Sequence, residues 1–221
     1  MISVTGLSKR FANETAIRYR DFVFEDGRSY LLLGASGCGK STLLNLIAGI
    51  LAPDTGEIVI DGRNMTRLRQ TEKDMFRIQR IGYIFQDFKL IEDMTVMDNI
   101  DILRLEGVDT AGAAELLGKL GMADKRNKKI RHLSGGEKQR VAIVRALVKK
   151  PDIILGDEPT GNLNFAIGEQ VIRELTEAAK GRTLIVVTHD DRLSVYFDEI
   201  VDMNEMTGGG AVDAPAKGVG E

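Results

Sequence analysis

Gly34-Ala35-Ser36-Gly37-Cys38-Gly39-Lys40-Ser41 is the stretch that decides the fold. It fits G-x-x-x-x-G-K-[ST], a loop that cradles nucleotide phosphates. A triphosphate needs many donors converging on its oxygens. Glycines let backbone N–H groups approach with no Cβ in the way, and a following helix points its positive end at the charge. The flanks suit this: Arg28 to Leu33 ends in an apolar run and breaks at Gly34, which predicts a strand. Lys40 to Gly49 carries Leu43, Leu44, Ile47 and Ala48 at helical spacing, with Gly49 as C-terminal cap. Residues Gly34 through Thr42 are therefore expected to bind nucleotide. Lys40 would reach the β- and γ-phosphates, and the Ser41 hydroxyl would bind Mg²⁺. Cys38 is read as a small, inert member of the loop; the sharper reading is a thiol whose alkylation would block ATP.

Outward from the loop, residues 2–33 read as strands, with Thr15 to Phe24 rich in β-branched and aromatic residues. Gly56 to Gly62 is a short strand and turn. Residues 65–79 form an expected amphipathic helix, and Ile81 to Phe85 a strand ending at Gln86. Residues 87–133 differ: Val96 to Leu105 and Ala111 to Leu120 read as short helices punctuated by Gly107 and Gly121. An inserted helical subdomain over about 87–139 is expected within one domain spanning 1–206. Ser134 opens a helix to Lys149, stopped by Pro151. Strands follow at Asp152 to Gly156, Thr183 to Val187 and Ile200 to Met203, with a helix from Ala166 to Lys180. Residues 207–221 read as a disordered tail.

The 221 residues are 43% hydrophobic and 29% charged, with net charge -3, as in an ordinary globular domain. This balance disfavours bulk nucleic-acid binding. The longest near-apolar run, Leu43 to Ala52, is too short to span a membrane and no leader is legible, so a cytoplasmic chain is expected. The single cysteine excludes an internal disulfide.

Ile153-Ile154-Leu155-Gly156-Asp157-Glu158 is an apolar strand ending in two carboxylates. Behind a phosphate loop, this places Asp157 against Mg²⁺ or its water. Glu158 would polarise the water that attacks the γ-phosphate. Two adjacent carboxylates point to a hydrolase, since water needs a base. Ser134-Gly135-Gly136-Glu137 fits a capping box. Two glycines at a helix start weaken the helix, so capping alone does not account for them. They open the positive helix end to an anion.

Taken together, the phosphate loop and Leu133-Ser134-Gly135-Gly136-Glu137, in this order, resemble the ATP-binding-cassette (ABC) ATPases. The likeness covers residues 1 to about 206. It implies a P-loop NTPase α/β core with an inserted helical subdomain and an N-terminal antiparallel β region. It also supplies the anion: Ser134, Gly135, Gly136 and Glu137 of one copy would close on ATP held by another, so a second ATPase subunit is implied, read as a homodimer with a heteromer left open. Gln86 matches the family's glutamine that contacts Mg²⁺ or water, His189 the switch histidine on the γ-phosphate, and Phe11 the aromatic that stacks on adenine. The catalytic set implied is Glu158, His189, Gln86 and Lys40, with Ser41, Gln86 and Asp157 on the metal. His132 reads as structural.

Ile81 to Ile91, Met94-Thr95-Val96, Asn99 and Asp157 to Leu163 resemble the branch of lipoprotein-releasing, macrolide and peptide exporters and of the cell-division ATPase. There the ATPase is a short subunit on the inner membrane face, paired with a permease-like integral membrane protein. Residues 87–105 would receive its coupling helices. A soluble ABC ATPase acting in cofactor assembly is the alternative, and control of a cell-wall hydrolase is a further option. One departure stands out: where the family usually has Leu-Asp, this chain has Leu163-Asn164. Altered communication between the two ATP sites is expected from it.

Overall fold

The computed structural model describes residues 1–12 and 15–207. The tail expected from residue 207 onward lies, apart from Thr207, outside the described residues. In chain order the strands and α-helices are β1 (Ile2–Lys9), β2 (Ile17–Arg18), β3 (Phe22–Phe24), β4 (Ser29–Leu33), α1 (Lys40–Ile47), β5 (Thr55–Ile60), β6 (Arg63–Asn64), α2 (Gln70–Arg80) and β7 (Ile81–Ile84). Then come α3 (Val96–Asp101), α4 (Ala113–Lys119), α5 (Gly135–Leu147), β8 (Ile153–Asp157), α6 (Phe165–Ala178), β9 (Thr183–Thr188), β10 (Glu199–Asp202) and α7 (Met203–Met206).

Two sheets form. β1 pairs antiparallel with β2, β3 and β5, and β5 with β6. The second sheet is parallel throughout, in the order β10-β4-β9-β8-β7. β4, β9, β8 and β7 are apolar on both faces, as a sheet covered on two sides requires. Tyr30 and Leu32 of β4, Ile185 and Val187 of β9, and Ile153 and Leu155 of β8 pack with α1 and the antiparallel sheet in one core. Their neighbours Leu31, Leu184, Val186 and Ile154 turn the other way, into a second core shared with α3, α4, α5 and α6. The period of two thus divides the molecule into two layers around one sheet. The phosphate loop leaves the C-terminal end of β4, where α/β sheets place ligands.

Three differences from the sequence expectation have local causes. The helix expected over 65–79 is two pieces. Asn64 Oδ1 accepts the Thr66 N–H and starts a 3₁₀ turn at Met65–Arg67. Leu68 is extended, and α2 restarts after Arg69, whose N–H is taken by Glu72. The helix expected over 96–105 tightens to 3₁₀ geometry from Ile102 and ends on left-handed Gly107. The stretch Thr15 to Phe24 makes two short strands on different parts of β1. The strand and turn expected over Gly56 to Gly62 are β5 and the turn that leads into β6; β6 itself carried no sequence signal that was read.

Candidate active site

Lys40 opens α1 and is buried, with its Nζ donating to the carbonyls of Gly34 (2.7 Å) and Ala35 (3.0 Å). The loop is therefore wrapped around one positive charge. Gly39 caps α1 at φ +96°, a conformation that glycine adopts without strain. A Cβ there would sit 2.9 Å from both the Tyr19 hydroxyl and an Ile17 methyl. The Tyr19 hydroxyl donates to the Gly39 carbonyl at 2.9 Å, so β2 and the residue after it brace the loop from outside. Gly37 is also left-handed, and a Cβ on it would meet nothing. That open side is where an anion can approach the first N–H groups of α1. Cys38 is half-buried against the first core.

β8 delivers the two carboxylates. Ser41 Oγ donates to Asp157 Oδ1 at 2.6 Å. Burial holds the Asp157 carboxyl above the ordinary carboxylate range, with the Ser41 hydrogen bond pulling the other way. Glu158 follows with φ +44°, left-handed for a residue with a Cβ. Such strain is held in place by its surroundings, here by its own N–H bonded to the Val187 carbonyl and its carbonyl bonded to Gly161 N–H. Its side chain is met from three directions. Lys40 Nζ lies 3.8 Å from Oε1. Thr188 Oγ1 donates to Oε2 at 3.2 Å, and His189 Nδ1 donates to the same oxygen at 3.1 Å. A carboxylate that is held by a loop lysine and a histidine, next to a phosphate cradle, is placed to take a proton from water there.

Gln86, two residues beyond β7, is tied to the segment after Glu158: Asn162 Nδ2 donates to the Gln86 carbonyl at 2.8 Å, and a Cβ on Gly161 would lie 3.3 Å from Gln86 Nε2. Phe88 and Lys89 follow at φ +60° and +50°. Arg145 of α5 fixes them, donating to the Phe88 carbonyl at 2.7 Å and to the Lys89 carbonyl. At the start of α5, Ser134 Oγ accepts the Glu137 N–H at 3.3 Å and Glu137 Oε2 accepts the Ser134 N–H at 2.8 Å, the reciprocal cap read from the sequence. Glycine is needed here for packing too: a Cβ on Gly136 would stand 2.7 Å from Ile167, and one on Gly135 3.1 Å from Leu163. Among the described residues, no hydrogen bond or ion pair joins Ser134–Glu137 to the loop 34–42.

A family model described as ABC transporter matches residues 18–161. The chain belongs to the ABC transporter ATPase family. It is 44% identical, over 82% of its length and 76% of the relative's, to an uncharacterized ABC transporter ATP-binding protein of Mycobacterium tuberculosis. It is 36% identical, over 92% of its length and 97% of the relative's, to the lipoprotein-releasing system ATP-binding protein LolD of Bacteroides fragilis. Among solved structures, a dimeric ATP-binding cassette in a post-hydrolysis state with ADP and phosphate aligns at TM-score 0.82 and 31% identity, covering 95% of each chain.

As an ABC ATPase, the chain brings Lys40, Ser41, Asp157, Glu158 and His189 into one cluster, with Gln86 at its margin. Ser134, Gly135, Gly136 and Glu137 stand apart from that cluster. Phe11 lies just past β1 and is half-buried; among the described residues no hydrogen bond or ion pair joins it to the cluster. His132 is exposed and accepts from Arg131, outside the site. Sequence reading passed over Tyr19, Thr188, Asn162 and Arg145. The position of Thr188 at the end of apolar β9, just before His189, was a readable signal for a hydroxyl at a strand end. Tyr19, Asn162 and Arg145 act through folding of distant segments onto the site and left no local pattern.

Proposed function

We propose that two copies of this chain bind two ATP molecules head to tail, hydrolyse them with Mg²⁺, and drive an integral membrane partner from the cytoplasmic face. One observation carries the reading: the chain holds two anion-ready helix starts, at Gly39 and Ser134, that do not bond each other. Each ATP would then be completed by Ser134, Gly135, Gly136 and Glu137 of the other copy.

In this reading Gly34 to Thr42 cradle the phosphates, Lys40 meets the β- and γ-oxygens, and Phe11 stacks on adenine. Mg²⁺ fits the residues present. Ser41 Oγ and Asp157 Oδ1 stand 2.6 Å apart, one hydroxyl beside one carboxylate. Among the described residues, no group of three or more His, Cys, Asp or Glu could hold a metal by itself. Mg²⁺ is commonly bound this way, by one or two protein oxygens plus phosphate and water. Ser41, Asp157 and Gln86 would hold it, and the ion would neutralise charge on the phosphates. Glu158 accepts the proton of the attacking water, and His189 orients that carboxylate and reaches the γ-phosphate.

No helix among the described residues is long and apolar enough to cross a membrane; in the proposed arrangement the bilayer is reached through the partner. Its seat is the helical segment over about 87–139, at residues 87–105. A groove of about 490 Å³ adjoins it, lined by Met75, Ile78, Gln79, Glu106, Val108 and Lys149. Met75, in that lining, and Leu105, next to Glu106 in the chain, are large apolar side chains left 52% and 87% exposed. Asn99 stiffens the seat by bonding both the N–H and the carbonyl of Ile91. The likeness to a lipoprotein-releasing ATPase supports a partner of the exporter branch. Purification from native membranes in mild detergent with ATP, followed by mass spectrometry, tests this. A few-helix membrane protein with a large external domain is expected; only soluble partners beside an active ATPase would move the reading to a soluble cassette.

Asn164 Oδ1 caps α6 by accepting the Ile167 N–H at 3.1 Å. Asn164→Asp keeps that cap and adds a negative charge at a helix N-terminus, which favours the fold by a few tenths of a kcal/mol, roughly. ATP affinity is expected to hold within about twofold, judged by the unchanged phosphate contacts, while the cooperativity of hydrolysis shifts. Steady-state ATPase titrations check this; an unchanged rate and Hill coefficient would sink it.

A further inference from the structure

We infer that Arg192, stacked on Phe165 and paired with Asp190, is a positioning residue that ties the start of α6 to the catalytic loop after β9. The inference rests on the proposed roles of Glu158 and His189. The Arg192 guanidinium lies 3.9 Å from the Phe165 ring centroid. Its other side is gripped by Asp190, with Nε to Oδ1 at 2.8 Å and Nη2 to Oδ2 at 2.7 Å. Asp190 Oδ1 also accepts the Arg192 N–H at 3.2 Å, which closes a tight turn.

An exposed ion pair alone contributes little, and the Arg192 side chain is 60% exposed. The stack changes that. A planar guanidinium fixed by a carboxylate fork on its edge and a ring on its face has one orientation. That orientation fixes Asp190, whose N–H bonds Thr188 Oγ1 at 3.2 Å. Thr188 Oγ1 and His189 Nδ1 are the two donors on Glu158 Oε2. A continuous path of contacts thus runs from Phe165 through Arg192, Asp190 and Thr188 to the carboxylate. Phe165 is the neighbour of Asn164, the position from which altered communication between the two ATP sites is expected. Displacement of α6 by the second copy would be felt at Glu158.

Phe165→Leu keeps an apolar side chain and removes the ring face. It is expected to lower kcat about threefold to tenfold, the range of one partly exposed cation–π contact, with ATP KM unchanged and Tm lower by only a few degrees. Phe165→Trp, the best ring for a cation, is expected to keep wild-type kcat. Arg192→Gln should match Phe165→Leu, and the double variant should fall no further than either. Wild-type kcat in Phe165→Leu overturns the inference. So does a fall in Phe165→Trp equal to that in Phe165→Leu, or loss of ATP-driven dimerisation when Phe165→Leu is combined with Glu158→Gln. Glu158→Gln alone, run in the same assay, separates the two readings: turnover in that variant removes the proposed role of Glu158, whereas an inert Glu158→Gln beside a normal Phe165→Leu removes only this inference.

Discussion

Glu158→Gln is expected to lose ATP turnover by about 100-fold or more while still binding ATP, as removal of a general base costs. The carboxylate is the atom group on which Lys40, Thr188 and His189 converge. Glutamine has the same length and keeps an oxygen that Thr188 and His189 can donate to, so the left-handed turn at residue 158 is kept. What it lacks is an acceptor basic enough to take a proton from water. The amide also removes a negative charge beside the phosphate loop, so ATP affinity is expected to hold or rise. Single-turnover hydrolysis together with equilibrium ATP binding separates the two effects. Near-normal hydrolysis would refute the role of Glu158; a loss of binding equal to the loss of turnover would make it a structural residue.

Lys40→Met is expected to weaken ATP binding by about two orders of magnitude. Two charge-assisted hydrogen bonds to phosphate, each about 1.5 kcal/mol, sum to that factor. Methionine keeps the apolar stem, which packs beneath the loop with the side chain 6% exposed. The fold therefore should not suffer: the carbonyls of Gly34 and Ala35 lose a donor, but a buried cation is removed as well. Isothermal titration with ATP and a thermal melt check both halves. Wild-type affinity would contradict the reading of the loop, and a collapse of Tm would mean that Lys40 holds the fold and not the nucleotide.

Much of this arrangement was legible in the chain because its chemistry is local. The glycines at 37 and 39, the lysine behind them and the apolar helix after them dictate a strand–loop–helix unit from neighbouring residues alone. The capping box at Ser134 and Glu137 is likewise a matter of four consecutive positions, and its hydrogen bonds stand as read. Boundaries were less legible where a polar side chain competes with the backbone. Asn64 breaks one expected helix by capping a 3₁₀ turn, a choice that apolar periodicity does not register. Least legible were the braces. Tyr19 on Gly39, Asn162 on Gln86 and Arg145 on Phe88 join residues far apart in sequence. Each becomes visible only when β2, α5 and the segment after β8 are folded against the parallel sheet. The Arg192–Phe165 stack belongs to the same class: neither residue is unusual where it stands, and only their 3.9 Å approach gives them a role.

Sedimentation of the Glu158→Gln chain, with saturating ATP and Mg²⁺ and again with ADP, reads out the proposed head-to-tail dimer. A dimer carrying two ATP molecules is expected in the first case and a monomer in the second, because in the proposed arrangement Ser134 to Glu137 of each copy close on a γ-phosphate held by the other. A monomer that remains a monomer at saturating ATP, with each chain fully loaded, would contradict it.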